Sequence, residues 1–263
     1  MTDRLLVCDG LAKRFGGVHA LDGVSFAIER HAIYGLIGPN GAGKTTLFNL
    51  LTGIYTADAG RMQFAGGTID GLSPDRVCER GIARTFQNIR LFANLSVLEN
   101  VMIGRHVRTK AGVFGAVFRT RATQDEEARI ERRAHELLDY VGLADRANDI
   151  ARSLPYGEQR RLEIARALAT EPHLLALDEP AAGMNSTEKA ALGELIKRIR
   201  TDGVTVLLIE HDVKLVMGIC EHILVLDYGK QIAEGVPEDV RRDRRVIEAY
   251  LGTVGDDSIK VAT

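Results

Sequence analysis

The sequence predicts an α/β domain on a parallel sheet, interrupted by a mainly helical segment from about Asn88 to Leu162. Three observations lead there. From His173 onward, short β-rich runs and apolar-periodic helices alternate, the pattern of parallel strands with covering helices. Near the N-terminus the apolar run Ile33–Ile37 enters a glycine-rich turn and then a helical period. Between about Asn88 and Leu162 the hydrophobic spacing is mainly that of helices.

The elements follow in order. Leu5–Leu11, Val24–Ile28 and Ile33–Ile37 read as strands, and Gly43–Leu51 as a helix. Arg61–Phe64 followed by Ala65-Gly66-Gly67 reads as a hairpin. Ser73-Pro74 offers an N-cap and a first-turn proline for a helix. Ser96-Val97-Leu98-Glu99 is a capping box. From Thr123 to Val141 the residues Ile130, Ala134, Leu138 and Val141 share one helical face. A helix from Glu158 to Ala169 precedes the final alternation: His173–Leu177, Thr187–Arg200, Val204–Ile209, Val213–Ile219 and Ile223–Leu226.

A chain of 263 residues can bury a substantial core, and 45% hydrophobic with 27% charged residues is ordinary for a globular protein. A formal net charge of −2 gives no overall attraction to nucleic acid or anionic lipid. The three cysteines, Cys8, Cys78 and Cys220, are far apart and form no C-x-x-C, which fits reduced thiols in a cytoplasm. The opening MTDRLLVCDG lacks a signal-peptide core. No run approaches the roughly 20 apolar residues of a membrane helix, so action at a membrane would need a partner.

Gly38-Pro39-Asn40-Gly41-Ala42-Gly43-Lys44-Thr45-Thr46 matches G-x-x-x-x-G-K-[ST]. The glycines let backbone N–H groups wrap phosphate oxygens, and the following helix points its positive dipole end at the same anion. Lys44 is placed to reach the β- and γ-phosphates, and Thr45 to put its hydroxyl on Mg²⁺.

Ligands of open α/β sheets bind beyond the carboxyl ends of the strands. Four runs deliver polar residues there: Ile33–Ile37 the phosphate loop, Ile82–Phe86 Gln87, Leu174–Leu177 Asp178-Glu179, and Val204–Ile209 Glu210-His211. Asp178, closing an apolar strand, suits a Mg²⁺ ligand, and Glu179 a general base that orients or deprotonates water. His211 can bond a γ-phosphate oxygen, and Gln87 can touch the metal or the water. A single glutamine or histidine is more often a capping or solvated residue; the convergence of four such strand ends on one edge favours the site.

At this point the motif order resembles the ABC ATPase family from end to end. Leu154-Pro155-Tyr156-Gly157-Glu158-Gln159 stands where that family has its signature, usually Leu-Ser-Gly-Gly-Gln. The resemblance implies one ABC ATPase domain over residues 1–263. Its P-loop core with parallel sheet and N-terminal antiparallel β subdomain would occupy 1–87 and 163–263, and an inserted α-helical subdomain 88–162. It further implies ATP and Mg²⁺ as cofactors and head-to-tail pairing of two subunits. Gly157 and the helix it opens would then face the partner's nucleotide.

Pro155 replaces the serine and Tyr156 a glycine, so only Gly157 and the helix N-terminus carry over. Asn185 stands where relatives have an aspartate; it serves equally as an N-cap with Glu188. Phe15 matches the aromatic that stacks on adenine, with a core phenylalanine as the alternative. The wording around Leu154–Ala167, Glu179–Asn185 and the C-terminal residues resembles the LivG-type ATPase of branched-chain amino acid importers. That implies a subunit peripheral on the cytoplasmic face of the cell membrane. Its partners would be a second ABC ATPase subunit (in a homodimer or a LivF-like heterodimer), integral permeases and, indirectly, a periplasmic binding protein, with no nucleic acid. Lipopolysaccharide-export ATPases and soluble ABC proteins are the alternatives. The basic-apolar stretch 105–121 fits a membrane or partner surface, or an amphipathic hairpin.

Overall fold

The computed structural model describes residues 3–108 and 121–251. The chain opens with three strands: β1 (Arg4–Phe15), β2 (Val18–Glu29) and β3 (Ile33–Ile37). After α1 (Lys44–Leu51) come β4 (Ala59–Phe64), β5 (Gly67–Thr68), α2 (Pro74–Glu79), β6 (Ile82–Arg84) and α3 (Val97–Arg105). The helices α4 (Arg121–Tyr140) and α5 (Tyr156–Leu168) precede β7 (Leu174–Asp178) and α6 (Ser186–Thr201). Then follow β8 (Thr205–Ile209), α7 (Val213–Ile219), β9 (His222–Asp227), β10 (Lys230–Gly235), α8 (Pro237–Arg242) and α9 (Arg244–Leu251).

The described residues fall into two compact units, one of residues 3–77 with 196–251, the other within 78–195. In the first unit, β2, β1, β4 and β5 form an antiparallel sheet in that order. β1 buries Leu5, Leu6 and Cys8 and, past a register shift, Leu11, and alternation along β2 adds Val24, Phe26 and Ile28. β3 lies between β8 and β9, parallel to both, and β10 closes antiparallel on β9. All five residues of β3 and of β8 are buried, as strands covered on both faces require.

In the second unit β6 pairs in parallel with β7, whose five residues are all buried. α3 starts with the expected box: Ser96 accepts from Glu99 N–H and Glu99 accepts from Ser96 N–H. α4 buries Ala134, Leu137 and Leu138, with Val141 just beyond its end, while Ile130 is half-buried.

Most expected elements are present with ends moved by a few residues. β6 is shorter than Ile82–Phe86: the Thr85 N–H still donates to Ala176 O (2.9 Å), but the N–H and carbonyl of Phe86 turn to side chains of α5. The elements after Asp227, namely β10, α8 and α9, were not anticipated as such. Residues 109–120, the centre of the basic-apolar stretch, lie outside the described residues. Arg105 at its start pairs with Glu171. No helix among the described residues is long and apolar enough to cross a membrane.

Candidate nucleotide-binding and hydrolytic site

The first unit carries the phosphate loop between β3 and α1. Gly38 must be glycine, since a Cβ there would lie 2.1 Å from the Leu226 carbonyl oxygen. Gly43, the N-cap of α1, has φ 101° and would place a Cβ 2.5 Å from the Ala20 carbonyl oxygen. The loop is braced from behind. Gly229 N–H donates to Ala42 O (3.0 Å), and the Tyr250 hydroxyl of α9 accepts the Gly38 N–H. Lys44 is buried, its Nζ donating to Gly38 O (2.7 Å) and Pro39 O (3.0 Å). Thr45 is exposed in the first turn of α1, and Thr46 half-buried. That turn holds no acidic side chain, so nothing offsets the dipole that would attract phosphate.

His211, just beyond β8 in the same unit, is exposed, while Glu210 beside it is buried and accepts the His211 N–H at 3.2 Å. Phe15 is 45% exposed at the end of β1, edge-on to Tyr55 with centroids 5.2 Å apart and the Lys13 ammonium 5.5 Å from its own. That removes the core-phenylalanine alternative and leaves an aromatic face open to a planar ligand.

The second unit carries the acidic residues Asp178 and Glu179. Asp178 ends β7 and is buried, with Oδ2 accepting from Arg84 Nη2 at 2.8 Å and its N–H donating to the Thr85 hydroxyl at 3.3 Å. Burial pushes the Asp178 carboxyl above the ordinary carboxylate range, against the pull of Arg84. Burial also lowers the Arg84 guanidinium, against the pull of Asp178. For both partners desolvation outweighs their attraction, as is common for a buried pair. Glu179 turns the chain with a left-handed φ of 48°, and its Oε2 accepts from Gln87 Nε2 at 3.0 Å. Gln87 and Glu179 are thus brought together by a direct hydrogen bond.

Pro155 is the N-cap of α5 and supplies no side-chain bond, so Tyr156 and Gly157 are its first residues, one earlier than Gly157. A Cβ on Gly157 would stand 3.1 Å from Glu188 Oε1. Glu188 also accepts the Asn185 N–H (2.9 Å), while Asn185 Oδ1 accepts the Glu188 N–H (3.0 Å). Asn185 therefore does cap α6. Arg84 and the buried Arg160 of α5 were not singled out from sequence. Arg84 had one signal, its place three residues before Gln87 on the strand that flanks the acidic one.

Among the described residues no cluster of three His, Cys, Asp or Glu is placed to hold a metal. A cation here would lean on ligand phosphates and few side chains, the habit of Mg²⁺. A strand-loop-helix phosphate cradle, an Asp-Glu pair ending a buried parallel strand and a glutamine on that glutamate define an ATP-binding cassette. The chain belongs to the ABC transporter family, whose pattern matches residues 21–182. Residues 230–256 match the family described as branched-chain amino acid ATP-binding cassette transporter.

The chain is 45% identical over 253 residues to LivG of Salmonella typhimurium, a high-affinity branched-chain amino acid transport ATP-binding protein, covering 96% of this chain and 99% of that one. It is 44% identical, with the same coverage, to BraF of Pseudomonas aeruginosa, which bears the same description. Among solved structures it resembles a nucleotide-free ATP-binding cassette from an ABC transporter (TM-score 0.82, 32% identity, 94% of this chain and 98% of that one). It also resembles a cassette in its ADP conformation (TM-score 0.83, 32% identity, 95% and 99%).

Proposed function

We propose that this chain is the ATP-hydrolysing subunit of a membrane importer for branched-chain or related amino acids. It would lie on the cytoplasmic face against integral permeases and pair with a second ABC ATPase subunit. The observation that carries the hydrolytic reading is the Gln87–Glu179 hydrogen bond beside buried Asp178. The substrate class is supported by the descriptions of LivG and BraF at full-length similarity.

The residues suit ATP. Gly38 and Gly43 let the loop pass close to neighbouring carbonyls and turn into α1, and the Lys44 amine rests on carbonyls of the same loop. Residues Gly38 to Thr46 would hold the phosphates, with Lys44 neutralising the β- and γ-oxygens. Phe15 would stack on adenine. Thr45, Asp178 and Gln87 would hold Mg²⁺, which supplies charge neutralisation at the phosphates. Glu179 would accept the proton of the attacking water, and its bond from Gln87 orients the carboxylate for that task. His211 would donate to the γ-phosphate. Gly157, at the N-terminus of α5, would meet the nucleotide of the partner subunit.

Purification from solubilised membranes tests the reading. Recovery with integral permeases, together with ATP hydrolysis by that complex, is the expected result. Recovery only with ribosomes or DNA would overturn it.

A further inference from the structure

Three side chains of α5 stand on one face at i, i+4 and i+7: Tyr156, Arg160 and Glu163. Arg160 is 2% exposed and Glu163 1%. Burying two charges at this depth costs more than their attraction returns, unless every remaining donor and acceptor finds a partner. The partners are backbone groups of the segment after β6. Arg160 donates from Nη1 to Phe86 O (2.6 Å) and Glu163 Oε2 (3.2 Å), and from Nη2 to Gln87 O. The Tyr156 hydroxyl accepts from Arg160 Nη2 (2.8 Å) and Nε (3.2 Å). Glu163 Oε1 accepts the N–H groups of Phe86 (3.3 Å) and Arg90 (3.4 Å).

Phe86 therefore has both its N–H and its carbonyl held by one helix, and the carbonyl of Gln87 is held beside them. The Gln87 side chain, one bond further on, donates to Glu179. A connected polar path runs from the first turn of α5 through Tyr156, Arg160 and the Gln87 backbone to the Glu179 carboxylate. Tyr156 is the residue that replaces a glycine of the usual signature, and its hydroxyl completes the guanidinium's set of acceptors.

We propose that Tyr156 and Arg160 are positioning residues for hydrolysis. They clamp the Gln87 segment to the signature helix, so that a phosphate engaged at the N-terminus of α5 sets the aim of Gln87 on Glu179. The clamp rests on the reading of Gly157 and Glu179 given above. It ties the nucleotide of the partner subunit to the water-handling pair of this chain, and so couples the two ATP sites of the assembled complex.

The test uses the intact membrane complex. Tyr156→Phe keeps the ring, which is 44% exposed, and removes one acceptor, so folding is preserved. The expected result is a kcat about tenfold lower, since the two bonds from the Arg160 guanidinium to the Tyr156 hydroxyl are lost. KM for ATP should stay unchanged, the complex should stay folded at the assay temperature with a Tm about a few degrees below the parent because Arg160 loses an acceptor, and the Hill coefficient for ATP should fall toward one. Arg160→Lys, which keeps the charge but has no fork to span Phe86 O and Gln87 O, should lose more turnover and no nucleotide affinity. If Tyr156→Phe turns over with the parental kcat and Hill coefficient, the clamp is overturned while the assignment of Glu179 stands. If kcat falls only in step with stability, the clamp is likewise overturned in favour of a packing role. A parent complex that hydrolyses no ATP would overturn the functional reading itself and the clamp with it.

Discussion

Replacing Glu179 by glutamine isolates the chemistry of one carboxylate from everything else it does. Glu179 holds a left-handed φ of 48°, a conformation that costs glutamine and glutamate alike, so the backbone does not distinguish them. Its Oε2 accepts the Gln87 amide at 3.0 Å, and the carbonyl oxygen of a glutamine can accept the same bond. Packing, turn and hydrogen bond survive; only the basic oxygen and the negative charge are lost. A general base contributes about 10²- to 10⁴-fold, or about 3–5 kcal/mol of barrier at 1.36 kcal/mol per decade. Phosphate release by the Glu179→Gln complex should fall by that factor, with KM for ATP unchanged and ATP retained by the subunit pair. Undiminished hydrolysis would remove Glu179 as the base. A raised KM with unchanged kcat would reassign it to nucleotide binding.

Three further outcomes follow from the structure. Asn100 is fully buried and bonds Phe92 N–H (2.9 Å), Phe92 O (3.1 Å) and Ser96 O (2.9 Å), so Asn100→Ala should cost about 1–3 kcal/mol in urea unfolding, chiefly by stranding the Phe92 N–H, since both carbonyls keep backbone donors. A loss below measurement error would show that water replaces them. Phe15→Ala should weaken ATP binding about tenfold in titration calorimetry, with stability unchanged because the ring is half exposed; equal affinity would remove the stacking role. Burial pushes the Tyr250 phenol up to about 12, with the Gly38 N–H pulling the other way. The folded chain thus keeps that proton longer than the unfolded chain, and the associated stability, complete below about pH 10, is lost as pH rises to 12 at about 1.4 kcal/mol per unit. Tyr250→Phe should flatten this fall between pH 10 and 11, whereas parallel stability curves for the two proteins would contradict it.

Much of the candidate site was legible because its chemistry is local. The phosphate loop needs glycine at fixed offsets from a lysine, and Asp178-Glu179 closes an apolar strand; both patterns are contiguous in sequence. The capping boxes at Ser96 and Asn185 were legible for the same reason. Arg84 and Arg160 were not. Each draws its meaning from a partner far along the chain, Asp178 for the first and the Phe86 and Gln87 carbonyls for the second. A lone arginine in a helix otherwise reads as a solvated face. The same tertiary bonds hold Phe86 outside β6, although Ile82–Phe86 reads as one strand. β10 escaped notice because Lys230–Gly235 mixes polar and small residues, and it is held by pairing with β9 more than by its own pattern. Pro237 at the first turn of α8 was an available start signal.

Uptake of radiolabelled leucine into proteoliposomes, by the complex purified with its permeases and supplied with its binding protein, tests the proposed function most directly. The expected result is uptake that requires ATP on the side bearing this subunit and is abolished by Glu179→Gln. Uptake that persists in that variant, or ATP hydrolysis with no leucine or related amino acid moved, would contradict it.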